Sequence, residues 1–461
     1  VQDELHLISG PLGTMVGLYE TMVDRLCVDG AHGKGARPKI IAATATVRRS
    51  HQQIRALFGR QDSAVFPPAG VDAWETFFAT VDRDGPKRQY VGIAAAGRPI
   101  KRILIFTYLA LLAAAKKAYD ESIETLPDGT TRASGDAYMT LVGYFNSLRE
   151  LGGMRRLVED EIHGRVDKLA LRKPVNWPGR DHPWFENRKT TIPPIELTSR
   201  EKTGKISEHK AKLAESWQSA HVDVCLASNM ISVGVDIDRL GLMVVAGQPK
   251  TTSEYIQASS RVGRSDKGPG LVVTVFNLHK PRDRSHYEHF GYYHEAFYRT
   301  VEAQSVTPFS GPAIERGLAG VLVGMTRHGE PAMTPPRRVA ELQRYRHVAE
   351  AMVDALAKRA REHSDRDLAQ LAEDLRMRGR VLLDSWERIL EAAQEGGGTK
   401  VYSRFDEERV GTALLITANE RDGVKTEHER RFVAPTSMRD VEASVNVLVD
   451  RGTLRNTQGG R

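Results

Sequence analysis

The 461 residues are 40% hydrophobic and 27% charged, an ordinary globular composition with room for roughly two to four domains. A net charge of +7 leans towards a polyanionic partner, though weakly for so long a chain. The two cysteines, Cys27 and Cys225, argue against a disulfide framework or a zinc knuckle and fit a reducing cytosol; the most apolar run, Ile103 to Ala115, is too short to cross a bilayer. A cytoplasmic setting without membrane contact is expected.

The chain begins VQDELHLISG, with the carboxylates Asp3 and Glu4 after a short apolar start, then His6 and the turn-prone Ser9-Gly10-Pro11. A helix from Gly13 to Cys27, a Gly-rich loop, a strand Lys39 to Ala43 and a helix carrying Ile54, Leu57 and Phe58 complete residues 1–66, part of an α/β unit. Pro67, Pro68 and Gly70 open a linker, 67–88. Strands are then expected at Tyr90–Ala94, Tyr138–Phe145, Ile195–Thr198, Val222–Ala227, Leu242–Ala246 and Leu271–Phe276. Short apolar strands separated by helices predict a parallel sheet covered on both faces over 89–278, interrupted by a Pro- and Trp-rich loop, Arg172 to Pro194. Residues 279–399 read as a helical region with long amphipathic helices at Arg338–Ala360 and Asp365–Ala393, closed by Gly396-Gly397-Gly398. Residues 400–461 form a mixed tail with a β-like Thr412–Ala418.

Four stretches carry chemistry. KIIAATATV places Thr44 and Thr46 at a strand end, where small hydroxyls can bond a neighbouring carboxylate. VCLASNMISVGVDID follows a strand with Ser228, Asn229, Gly234 and Asp236, a loop able to approach a nucleotide closely. SEYIQASSRVGRSDKG spaces Gln257, Arg261 and Arg264 by four and three residues. They are expected on one helix, hence on one face, aiming two guanidiniums at phosphoryl charge. HYEHFGYYHEAFY has histidines and glutamates, but its spacing fits no HExxH site; its aromatics read as a packed helix under the sheet.

The order DELH, TAT, YFNSLREL, ELTSR, SNMISVGVDID and Q-x-x-x-R-x-G-R resembles motifs II to VI of the superfamily 2 helicases over Val1 to Asn277. The wording FNSLREL, ELTSR and TSEYIQASSRVGR, with SVTPFS and APTSMRDVE downstream, is similar to the DrmA family, the helicases of DISARM anti-phage systems. The resemblance implies RecA-like sheets, a partial first lobe and a complete second one, followed by the mainly helical region. It also implies ATP and Mg²⁺, the metal held through water by Asp3, with Glu4 deprotonating the attacking water. His6 would couple the nucleotide to the second lobe by facing Gln257, and Thr44 and Thr46 would link hydrolysis to strand movement. Gly234 and Asp236 would line the cleft, and Arg261 and Arg264 would be arginine fingers. Asn146, Ser147, Arg149, Thr198, Ser199, Arg200, Ser228 and Asn229 would contact the backbone of a nucleic acid, DNA by the resemblance, and a DrmB-like protein would be the companion.

One motif is missing. No G-x-x-x-x-G-K-[ST] occurs, and the tempting Gly204-Lys205 fails because Ser199 stands five residues before it and Ile206 follows. The remainder of the first lobe is therefore expected upstream in a longer protein or on another chain. The expected function is a nucleic-acid-dependent ATPase of the helicase type; the alternative is a catalytically incomplete DNA-binding or assembly scaffold.

Overall fold

Unbroken apolar runs such as LVGYF, VCLA and LMVVA have no polar face to offer water, so they are stable only with both sides covered. In the computed structural model they form the centre of a six-stranded, wholly parallel sheet. The described residues are all but 29–34, 45–47, 69–70, 72–74, 76, 86, 126, 128–130, 175–176, 180, 199, 202, 233–235, 266–267, 304, 364–367, 407–410, 425, 437 and 439–461. They divide into two units, Ala69–Glu302, and Val1–Pro68 with Ala303–Arg461.

The first of these is the sheet unit. Its strands are β1 (Gln89–Ile93), a small antiparallel hairpin of β2 (Ile123–Thr125) and β3 (Thr131–Ala133), then β4 (Leu141–Phe145), β5 (Ile195–Leu197), β6 (Val224–Ala227), β7 (Leu242–Ala246) and β8 (Leu271–Val275). The main sheet runs β1-β8-β7-β4-β6-β5. Alternate residues divide between two cores: Val244, Val273 and Val224 meet helix Ile100–Glu121 through Leu104, Tyr108 and Leu112, while Met243, Val245 and Tyr144 meet Tyr255, Val262 and Phe297. This is the α/β architecture expected of a RecA-like lobe, and all six expected strands are present. The strand expected from Tyr138 starts only at Leu141. Ser134–Tyr138 instead make a 3-10 turn pinned by Arg239, whose Nη1 donates to the Asp136 carbonyl at 3.0 Å, and by Gly241 N–H on the Ala137 carbonyl.

Residues 279–302, read from the sequence with the helical region, pack in the sheet unit. Tyr293 and Phe297 are buried against Tyr255, with ring centroids 6.1 and 5.5 Å away. His294 Nδ1 lies 2.8 Å from the Phe290 carbonyl and must donate to it, leaving Nε2 to accept from the Tyr255 hydroxyl at 3.2 Å. The loop Arg172 to Pro194 is anchored by Arg188, which with Asp223 is only 1% exposed. Arg188 donates to Asp223 and to the carbonyls of Leu112 and Met139, and Asp223 also accepts from Trp217 Nε1 and from Thr191.

The second unit joins the N-terminal helices Gly10–Leu26 and Ser50–Phe58 to helices Gly311–Gly329, Arg346–Glu362 and Ala369–Glu395. Gly317, Gly320 and Gly324 are spaced along one helix so that Leu18, Tyr19 and Met22 of its neighbour seat against bare backbone; a Cβ at these positions would lie 2.5 to 2.7 Å from them. Trp386, Tyr402 and Phe432 complete the core, with β9 (Lys400–Ser403) parallel to β10 (Thr412–Leu415). The helix expected from Arg338 begins at Arg346. Pro336–Gln343 form a 3-10 stretch whose buried residues, Val339 and Leu342, are three apart, the period of that helix. The strand expected at Lys39–Ala43 is reduced, among the described residues, to a single bridge, Ala42 to Gln2.

Removing one member of a buried pair strands the other charge in low dielectric. Arg188→Leu and Asp223→Ala are each expected to destabilise the sheet unit by about 3–5 kcal/mol, measured by urea unfolding.

Candidate functional site

The candidate residues lie in both units, and each set is built by its own strands. In the N-terminal part, Gln2 N–H bonds the Ile41 carbonyl at 2.8 Å, Ala43 N–H bonds Gln2 at 2.9 Å and Leu5 N–H bonds Ala43 at 3.0 Å. This parallel ladder brings the DELH segment and Thr44 to the same end. Glu4 sits in the left-handed region (φ 53°), uncommon for a residue with a Cβ, and a 3-10 turn, Leu5–Leu7, follows at once. Asp3 Oδ1 accepts from Glu4 N–H at 2.9 Å, while the rest of its exposed carboxylate faces solvent.

His6 is 6% exposed, and its Nδ1 lies 3.1 Å from Thr44 Oγ1 and 3.3 Å from Glu4 Oε2. The imidazole therefore joins the strand-end hydroxyl to the carboxylate within one unit. Thr46 lies outside the described residues, as do Gly234 and Ser199. Among the described residues no three His, Cys, Asp or Glu side chains converge to ligate a metal directly. A cation here would rest on Asp3, water and nucleotide oxygens, which suits Mg²⁺.

In the sheet unit the helix bearing Gln257 runs from Thr252 to Ser259, capped by Thr251 Oγ1 on Glu254 N–H. It stops before the arginines, so Arg261 and Arg264 do not share its face with Gln257 as the spacing implied. Gly263 breaks the pattern: at φ 65° it turns the chain, its N–H bonds the Leu240 carbonyl at 2.7 Å, and a Cβ would lie 2.4 Å from Gly270 Cα. Arg88 holds this turn from outside, donating through Nε to the Val262 carbonyl at 2.9 Å. The turn delivers Arg264 to an ion pair with Asp236, so two of the expected nucleotide-facing residues are brought together. Gln257 is buried and Arg261 half-buried.

The other candidates collect where parallel strands end. Asn146 and Ser147 follow β4, Thr198 follows β5, and Ser228 and Asn229 follow β6; the register places Tyr144, Leu197 and Ala227 side by side. Open α/β sheets bind ligands outside these carboxyl ends. The individual roles differ. Asn146 Nδ2 donates to the carbonyls of Ala246, Gly247 and Gln248 at 3.3 to 3.4 Å, clamping the turn after β7. Ser147 caps helix Leu148–Leu157 by accepting from Glu150 N–H at 3.2 Å. Thr198 is fully buried. Arg149 is exposed, and Arg200, also exposed, pairs with Glu196 at 3.5 Å. Ser228 Oγ lies 3.5 Å from Asn229 Oδ1.

Sequence reading missed Glu196 and Asp283. Buried Glu196 also binds Arg155, at 2.7 Å, and so orients the arginine side of this edge. Buried Asp283 accepts from Gln248 N–H at 3.2 Å and Asn277 N–H at 2.9 Å, joining the turns after β7 and β8. Its place in the first turn of helix Pro281–Glu288 was legible, but its partners on two distant strands were not.

Comparison with known proteins follows this geometry. Residues 196–266, from β5 to the Arg264 turn, match the helicase conserved C-terminal domain. The chain is 37% identical over 98% of its length to the DISARM protein DrmA of Bacillus paralicheniformis. The sequence is DrmA-like over nearly its whole length and contains a helicase C-terminal domain. The chain spans 38% of the length of that DrmA. A shorter match, 31% identical over 71 residues, covers 14% of this chain and 8% of the ATP-dependent helicase Lhr-Core of Methanocaldococcus jannaschii. Among solved structures, the DUF1998 helicase MrfA bound to DNA and AMPPNP aligns with a TM-score of 0.44 at 16% identity, over 71% of this chain and 36% of that one. The Mycobacterium smegmatis helicase Lhr bound to ssDNA and AMP-PNP aligns with a TM-score of 0.42 at 14% identity, over 83% and 38%. Among the described residues no helix is long and apolar enough to cross a membrane.

The clamp and the exposed arginine at this sheet edge should separate cleanly in a stability assay. Asn146→Ala leaves three carbonyls without their donor and is expected to cost about 1–3 kcal/mol. Arg149→Ala should stay within about 0.5 kcal/mol in the same urea titration.

Proposed function

We propose that this chain is part of a DNA-dependent ATPase motor of the superfamily 2 helicase type, serving a DISARM-like anti-phage system alongside a DrmB-like companion. The observation that carries the reading is the gathering of the motif residues: Asp3, Glu4, His6 and Thr44 at one strand end, Asp236 with Arg264 at a glycine turn, and Ser228, Asn229, Arg149 and Arg200 along the carboxyl edge. In this reading Arg149, Arg200, Ser228 and Asn229 face the phosphates of a DNA strand, and Asn146, Ser147 and Thr198 hold the loops that present them. Such contacts follow a backbone and read no base sequence. Arg264, with Arg261, stabilises charge on the transferring phosphoryl group of ATP, and Gln257 and Asp236 line its pocket. Asp3 would hold Mg²⁺ through water. Glu4 takes the proton of the attacking water, and His6 holds Glu4 against Thr44.

The lysine of a G-x-x-x-x-G-K-[ST] loop is not among the 461 residues. Turnover therefore needs the rest of the first lobe, and the purified 461-residue chain is expected to bind DNA without hydrolysing ATP. Its DNA affinity should fall steeply with salt and stay the same for scrambled oligonucleotides, because counterion release dominates; a flat salt response would refute the phosphate-tracking edge. In the full-length protein DNA should stimulate ATP turnover, and Arg264→Ala should lower kcat by about 10³-fold or more with little change in KM. DNA binding by the full-length protein with no ATP turnover would establish the scaffold reading instead.

A further inference from the structure

Helix Ser50–Phe58 follows the Thr44 segment and lies under the DELH turn. Gln53, at the middle of this helix, is 3% exposed. Its Nε2 donates to the Ile8 carbonyl at 3.0 Å and the Leu5 carbonyl at 3.4 Å. The 3-10 turn between Glu4 and Ile8 therefore rests on one buried amide, with Leu5, Ile8, Ala56, Leu57, Phe58 and Val306 packed around it.

The other end of the helix is gripped by three guanidiniums. Its last carbonyls carry the negative end of the helix dipole. Arg37 and Arg60 donate to the Phe58 carbonyl at 3.2 and 3.1 Å, and both pair with Asp24. Arg359 is different, because it comes from helix Arg346–Glu362 in the C-terminal region. It is 6% exposed, and its Nη2 donates to the Leu57 carbonyl at 2.8 Å, while its Nε and Nη1 have no hydrogen-bond partner among the described residues. Burial brings its pKa down to about 10. Its guanidinium lies against residue 59, where a Cβ would stand 1.0 Å from Nη1, and only glycine leaves that space. A buried, incompletely paired cation is costly to keep, and a cap on an exposed helix end would not need one. A second tie between the same two helices runs from Arg55 Nε to the Glu362 carbonyl at 3.2 Å.

We propose that Arg359 and Gln53 are positioning residues for the Asp3–Glu4 carboxylates: the C-terminal helices fix helix Ser50–Phe58 through Arg359, and Gln53 passes that constraint to the DELH turn. The proposal rests on the reading that Asp3 and Glu4 serve ATP hydrolysis, and it gives the C-terminal helices a part in turnover. Only a donor can hold the Leu5 and Ile8 carbonyls, so leucine at 53 keeps the volume and loses the function. A misplacement of about 1 Å at a reacting group costs up to about 10²-fold in rate.

The test uses the full-length protein carrying Gln53→Leu, Arg359→Met, Arg359→Lys or Glu4→Gln. DNA-stimulated kcat and KM for ATP are measured per folded molecule, and hydrogen exchange is followed at the Leu7 and Ile8 amides, which close the turn onto Glu4 and Leu5. Gln53→Leu and Arg359→Met are expected to lower kcat roughly 10- to 100-fold, leave KM unchanged and speed exchange at Leu7 and Ile8. Arg359→Lys, which keeps a donor for the Leu57 carbonyl, should recover most of kcat. A folded Gln53→Leu protein with unaltered kcat and unaltered exchange overturns the proposal, and this variant stands alone if Arg359→Met fails to fold. If the wild type turns over ATP and Glu4→Gln abolishes it while Gln53→Leu does not slow it, the positioning role falls and the ATPase reading stands. If the wild type shows no turnover, the ATPase reading falls, and the exchange at Leu7 and Ile8 still decides whether Arg359 and Gln53 hold the turn.

Discussion

The buried pair of Arg188 and Asp223 is the constraint on which the sheet unit is organised. Desolvating two charges is repaid only when nearly every donor and acceptor is used, and here the donors come from separate parts of the chain. Arg188 reaches Asp223 before β6, the Met139 carbonyl before β4 and the Leu112 carbonyl inside helix Ile100–Glu121; Trp217 and Thr191 complete the carboxylate's shell. One node thus fixes where two central strands begin and where the long loop must cross. Because the strands are rigid and parallel, fixing their starts also fixes the level at which they end. Asn146, Thr198 and Ser228 can occupy one edge only because of that common origin.

The other unit solves a different problem. Its helices approach closely because glycines at 317, 320 and 324 remove side chains where Leu18, Tyr19 and Met22 must fit. The same principle recurs where the SVTPFS segment returns to the N-terminal helix: Ser305 accepts from Gly10 N–H at 3.0 Å, Thr307 N–H bonds Thr14 Oγ1 at 3.1 Å, and Pro308 lies over Gly17. A resemblance carried by a short sequence pattern thereby acquires a physical content, since SVTPFS is a strap laid along a helix groove.

Much of the fold was legible because a fully buried parallel strand leaves an unmistakable apolar run. Leu242–Ala246 was read to the residue, and the other strands of the sheet differ only at their ends. Errors arose where local geometry departs from a single period. The 3-10 stretch before Arg346 looks like helix because Val339 and Leu342 also fit an α-helical face, and the arginine motif looks like one helix because Gly263 is silent in a spacing count. Residue types at the candidate site were legible, but their tasks were not. Asn146 is suited to phosphate contact by its chemistry, yet its amide hydrogens are spent on three carbonyls a hundred residues away. Gln53, Asp283 and Glu196 carry no motif at all, because what matters about them is a partner brought near only by folding.

The pairing of Arg264 with Asp236 has a consequence for how such a side chain can change hands. With 34% and 69% of the two side chains exposed, water screens the attraction, and a pair of this kind contributes at most about 1 kcal/mol. That is enough to select one rotamer from the many open to a long side chain, and too little to hold it against a polyphosphate. In the proposed nucleotide-binding reading, Asp236 is a placeholder counterion: it presents the guanidinium already extended from the glycine turn and would yield it to an anion of higher charge density, so the entropy of ordering the arginine is spent during folding rather than at the moment of capture.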